Sequence, residues 1–87
     1  MAWGLVNHVV EPAELANRTR ELATALARSA TKGLGLIKRA INAGLSRSLE
    51  DQLNYEADLQ GIAGQTRDHA EGVAAFLEKR APEFTGE

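Results

Sequence analysis

Apolar residues recur along most of this chain at intervals of three and four, the spacing of helices with one buried face. Only the first ten positions break the rhythm. Ala2-Trp3-Gly4-Leu5-Val6-Asn7-His8-Val9-Val10 leans towards β structure, with three valines and a Trp. Nothing later in the chain could pair with it as a strand, so residues 1–10 read as a short extended remnant of a preceding domain, with Met1 as an added start residue. Glu11-Pro12 then opens a helix, Pro12 suiting the first helical position because no N–H is needed there. Leu15, Leu22 and Leu26 carry that helix over roughly residues 12–29. A second follows, weakened at its start by Gly33 and Gly35, with Leu34, Ile37, Ile41 and Leu45 as its apolar stripe. Ser48, with Asp51 three residues on, resembles a capping box and opens a third helix carrying Leu53, Leu59 and Ile62. Thr66 is the expected N-cap of a fourth, with Ala70, Val73, Ala74 and Leu77 facing the core. Lys79-Arg80 suit a helix C-terminus, Pro82 prevents continuation, and residues 83–87 form a flexible tail. The spacing predicts an all-α domain over 11–82. Its many glycines favour an irregular cluster of about four helices over a straight bundle.

Composition makes the expected core thin. Of the 38 residues in the 44% hydrophobic share, 15 are Ala, which favours helix but buries little surface. There is no cysteine to compensate with a disulfide or to hold zinc, and the two histidines lack ligand-like spacing, so no metal site is expected. At 87 residues, an autonomous enzyme with a deep substrate pocket is close to excluded. Ten basic residues against twelve acidic ones give a net charge of −2, with both signs dispersed, which argues against a nucleic-acid partner. No apolar run is long enough for a membrane span and no signal-peptide pattern opens the chain, so a soluble cytoplasmic protein is expected.

Few residues carry candidate chemistry. Lys38 and Glu56 both fall near apolar stripes, and two readings stand side by side. They form an inter-helix ion pair, or both sit at the stripe edge and reach water. On the fourth helix, Gly72, Phe76, Lys79 and Arg80 lie on a second face, where an aromatic beside a cation could hold a planar, phosphate-bearing ligand. Against this, Phe76 could be plain core and Lys79 could simply favour the helix end, which the spacing alone makes the simpler account. His8 and His69 read as surface residues. Trp3, a large aromatic in an exposed setting, suggests packing against something outside the helices.

The most specific run is Asp68-x-x-Glu71-Gly72-x-x-Ala75-Phe76-x-x-Lys79-Arg80-x-Pro82-x-Phe84. Together with Gly4-Leu5-Val6-Asn7, Val9-Val10, the Leu34–Ile41 segment with Lys38, and Glu56, it resembles the C-terminal end of the crotonase superfamily, which holds the enoyl-CoA hydratases and isomerases. Gly33 to Asn42 and the ending Phe84-Thr85-Gly86 look most like the ring-epoxide isomerases of phenylacetate degradation.

The resemblance implies a parent enzyme acting on coenzyme A thioesters, with no other cofactor. Its oxyanion hole and catalytic carboxylates would lie in an N-terminal spiral domain, so no catalytic residue is expected here. The C-terminal helices of such enzymes assemble a trimer or dimer of trimers and close over the acyl-CoA site. Phe76 and Lys79 match the family's residues at the nucleotide end of CoA, Phe76 as an apolar wall and Lys79 as a point charge on phosphate. Asp68, Glu71 and Gly72 match structural positions of the same motif, the two acids as helix N-terminal residues. The fragment is then inactive by itself. The rival expectation is a stand-alone helical module that binds a protein partner through its apolar faces, which has no reason to carry the Asp68–Phe84 run.

Overall fold

A computed structural model describes residues 3–87; Met1 and Ala2, and with them the reading of Met1 as an added start, lie outside the described residues. The architecture is all-α, with no strand among the described residues. Residues 3–7 hold a turn and bends, and residues 8–10 have no regular structure. Pro12–Glu14 make one 3-10 turn, closed by Glu14 N–H donating to the Glu11 carbonyl at 2.9 Å. Four helices follow: α1 (Leu15–Ala27), α2 (Thr31–Gly44), α3 (Leu49–Gly64) and α4 (Arg67–Glu78).

Both predicted N-caps form. Ser48 Oγ accepts from Asp51 N–H at 3.2 Å and donates to Asp51 Oδ2 at 2.8 Å, so the cap forms, but Asp51 takes the Ser48 hydroxyl and not the backbone N–H that a Glu takes in a capping box. Thr66 Oγ1 accepts from His69 N–H at 3.0 Å and donates to the Ala63 carbonyl at 2.7 Å, joining the end of α3 to the start of α4.

The main packing is a helical hairpin of α2 on α3 around the four-residue connection 45–48. Its buried residues are Leu36 and Leu59. The least exposed positions of α2 are Gly33, Leu36, Ala40 and Ala43, offset from the predicted stripe. Leu34, Ile37, Ile41 and Leu45 stay substantially exposed. This helix is apolar on two sides, and α3 covers only one. Gln52 fastens the hairpin, donating to the Ala40 carbonyl at 3.0 Å, and a Cβ at Gly44 would stand 3.4 Å from the Gln52 side chain.

Elsewhere little is covered. Leu36, Leu59 and Ala75 are the buried apolar residues among those described. No residue of α1 is buried, and Leu15, Leu22 and Leu26 are all at least half exposed. A compact chain of this length has a radius of gyration of about 12 Å. Here the value is 16.7 Å, with extents of 44 × 39 × 19 Å, as expected of a flat, open arrangement with α1 packed mainly on its own 3-10 turn.

Residues 83–87 are hydrogen-bonded to α4. The chain reverses after α4 and runs back along it to the helix start, where Asp68 N–H donates to the Glu87 carbonyl at 2.9 Å. Gly86, at φ 83°, sits against α2: a Cβ there would lie 2.5 Å from Thr31 Oγ1. The tail thereby links the N-terminal ends of α2 and α4. Where the sequence suggests a flexible tail, the backbone amides of Glu83, Thr85 and Gly86 find carboxylate acceptors on α4.

Candidate functional site

The described polar chemistry concentrates on α4 and the returning segment that follows it. Asp68, 3% exposed, accepts Thr85 N–H on Oδ1 at 2.7 Å and Gly86 N–H on Oδ2 at 2.9 Å. A buried carboxylate is tolerable only with such partners, and here each oxygen has one. Arg67 adds an exposed ion pair to Glu87 at 2.8 Å. Three residues further along α4, Glu71 takes a forked contact from Arg80, Nη1 to Oε1 at 2.6 Å and Nη2 to Oε2 at 2.9 Å. Its Oε1 also accepts Glu83 N–H at 2.8 Å. The hydrogen bonds from Arg80 and from the Glu83 amide hold the Glu71 carboxyl well below the usual range, at about 2. Glu71, and Glu78 at 2.6 Å from Arg80 Nε, push the guanidinium pKa further up.

The two acids thus do more than favour a helix N-terminus: both bind the returning chain. The tail also fixes which side of α4 faces inward. Asp68, Glu71, Gly72 and Ala75 lie beneath it, with the Phe84 ring over Gly72, 3.6 Å from where a Cβ would be. The predicted core face of Ala70, Val73, Ala74 and Leu77 is largely exposed, since no helix covers it.

Phe76 is 82% exposed, so the account of it as plain core does not hold in this chain. Lys79 directly follows the last helical residue and adopts the left-handed conformation, φ 54° and ψ 42°. Arg80 N–H donates to the Ala75 carbonyl at 3.0 Å and Lys79 N–H to the Phe76 carbonyl at 3.3 Å, the paired bonds of a Schellman ending. Glycine is the usual occupant of that position, and a lysine there costs roughly 1 kcal/mol. Lys79 is exposed and in no ion pair among the described residues, whereas Arg80 beside it contacts two carboxylates.

Lys38 and Glu56 do not pair. Glu56 Oε1 instead accepts from Gln52 Nε2 at 2.7 Å, and both Lys38 and Glu56 are exposed, the stripe-edge alternative. Leu36 is buried and Ala40 half-buried on α2, and Lys38 lies outside that covered side. Beside Glu56, an open groove of about 570 Å³ runs between α2 and α3, lined by Leu36, Ile37, Ala40, Ile41 and Leu59. Gln52 Oε1 is buried there without a hydrogen-bond partner. His8 and His69 are exposed. No group of three or more potential metal ligands occurs among the described residues.

Sequence reasoning missed the Glu71–Arg80 contact and the docking of Thr85 and Gly86. One signal was present: an acid and an arginine nine residues apart that flank a helix end, with Pro82 turning the chain back. All of residues 1–87 match the family model described as enoyl-CoA hydratase/isomerase. The chain belongs to that family.

Among the relatives of this enoyl-CoA hydratase/isomerase chain, the 1,2-epoxyphenylacetyl-CoA isomerase of Escherichia coli K12 is 49% identical over 84 residues, 97% of this chain and 32% of that protein. A probable enoyl-CoA hydratase of Rhodobacter capsulatus is 46% identical over 83 residues, 95% of this chain and 32% of that protein. The crystal structure of an enoyl-CoA hydratase from Geobacillus kaustophilus superposes with a TM-score of 0.87 at 45% identity, covering 97% of this chain and 32% of the other. The chain therefore spans about a third of the length of the curated relatives it matches. No helix among the described residues is long and apolar enough to cross a membrane.

Proposed function

We propose that this chain is the C-terminal helical region of an enzyme acting on acyl-CoA thioesters, with Phe76 and Lys79 serving the nucleotide end of coenzyme A. The observation that carries this reading is the end of α4. A largely exposed aromatic stands three residues before a lysine that lacks a carboxylate partner, in a family whose relatives are named for CoA thioesters. Lys79 supplies a point charge for phosphate and Phe76 an apolar wall. Hydration or isomerisation passes through an enolate, which requires donors fixed where negative charge develops. Those donors and the catalytic carboxylates belong to the rest of the enzyme, and the chain alone is inactive. Among the family's activities, ring-epoxide isomerisation is favoured by the 49% identity to the Escherichia coli enzyme.

The exposed apolar faces of α1 and α2 support a role in assembling a homo-oligomer, a trimer or dimer of trimers, and in covering the acyl-CoA site. A cytoplasmic location belongs to the same proposal.

The direct experiment is an NMR titration of the chain with coenzyme A to millimolar concentration. Movement of the Phe76 and Lys79 amides is the expected result. If neither moves here nor in the full-length enzyme, the assignment is wrong. Sedimentation at several concentrations tests self-association, and a strictly monomeric full-length enzyme would remove the oligomer role.

A further inference from the structure

The residues on either side of Lys79 are tied to each other, while Lys79 itself is not. Arg80, immediately after it, reaches Glu78, immediately before it, through Nε at 2.6 Å. The same guanidinium forks onto Glu71, two turns back along α4, at 2.6 and 2.9 Å. Glu71 also takes the amide of Glu83, so one carboxylate holds the chain at residues 80 and 83 and fixes the path between them. None of these contacts uses the Lys79 side chain, and glycine in its place would satisfy the backbone geometry with less strain. The fold therefore explains why residue 79 is left-handed but not why it is lysine. Charge points the same way: Arg80 is compensated by Glu71 and Glu78, which leaves Lys79 as the uncompensated cation at this end of α4 among the described residues.

We propose that Glu71 and Arg80 form a clasp that positions Lys79, holding its backbone left-handed so that its ammonium is presented off the end of α4 to the phosphates of a nucleotide-bearing ligand. This rests on the reading of Phe76 and Lys79 given above. Glu71 and Arg80 are positioning residues that do not touch the ligand. A rigid turn keeps the lysine in one direction from the helix end, so little backbone freedom is lost when phosphate binds.

The test uses the 87-residue chain with two readouts, the three-bond HN–Hα coupling and carbon shifts of Lys79, which report φ, and the apparent affinity for coenzyme A. In Glu71→Gln, Lys79 should leave the left-handed region while helix content by circular dichroism is kept. If the left-handed population falls to a fifth, the apparent Kd for coenzyme A rises about fivefold. Arg80→Lys keeps the charge but loses the fork and should move both readouts in the same direction. It supplies the comparison if Glu71→Gln unfolds α4. Lys79→Gly should keep φ left-handed and lose affinity. The clasp is overturned if φ at Lys79 is unchanged in both Glu71→Gln and Arg80→Lys, or if φ changes while affinity holds. Failure of the unaltered chain and of the full-length enzyme to bind coenzyme A overturns the ligand reading instead. The φ readout then decides the clasp by itself.

Discussion

Helices α1 and α4 are near equals in length, 13 and 12 residues, and both are amphipathic, yet the chain treats them oppositely. Nothing on α1 is buried, although Leu15, Leu22 and Leu26 form a proper stripe. On α4 the buried positions are an aspartate and an alanine, while Phe76 and Leu77 face outward. The difference teaches that polar bonds fix the second region. Two carboxylates collect backbone amides from the returning chain, and charge-assisted bonds of this kind are directional and strong. The first region has only non-directional apolar surface to offer, and within this chain that surface meets no second layer.

The most damaging change to this contrast should be Asp68→Ala. It leaves two amides, of Thr85 and Gly86, without acceptors and costs about 3 kcal/mol. Urea unfolding measures the loss, and hydrogen exchange at those two amides should quicken. Retained protection there would mean that the tail is held by something other than the carboxylate. Next is Gly86→Ala, which places a Cβ in a left-handed residue and against Thr31, at about 1–2 kcal/mol. Adding Thr31→Ala should recover only the steric part. If the double variant behaves like Gly86→Ala, Thr31 is not the obstacle.

Acid sharpens the comparison further. The Glu71 carboxyl lies at about 2 in the folded chain against an ordinary 4.5, so its contribution is complete above 4.5 and disappears as pH falls through 2. A carbon-detected titration should find Glu71 still ionised at a pH of about 3.5; an ordinary midpoint would refute the bidentate pair. The smallest effect belongs to α1. Leu22→Ala should change stability by no more than about 0.5 kcal/mol, because the leucine is already in water. A loss of about 2 kcal/mol or more would show that α1 packs in solution.

Much of this was legible in the amino-acid order, for local reasons. The Ser48 and Thr66 caps depend on residues three positions apart, and both form. Four helices follow from periodicity, and the last three end near Gly or Pro. The facing of those helices was not legible. Leu36 rather than Ile37 or Ile41 is the buried residue of α2, a preference that hydrophobicity alone cannot rank. Lys38 and Glu56 looked pairable for the same reason, since helix faces were inferred without knowing how the helices turn. On α4 the error came from the tail: Gly86 and Thr85 look like a loose end until Asp68, 17 residues before Thr85, is seen to accept their amides.

The two apolar faces of α2, only one of them covered, carry a calorimetric consequence. Heat capacity rises on unfolding in proportion to the apolar surface newly wetted, about 12–15 cal/mol/K per residue in ordinary globular proteins. Here Ile37, Ile41 and Leu45 are wetted before unfolding begins, as are the leucines of α1. Scanning calorimetry should therefore find an increment per residue below that range and a broad, shallow transition. A stability curve this flat changes little with temperature, and cooling should weaken the chain less than it weakens a protein with a full core.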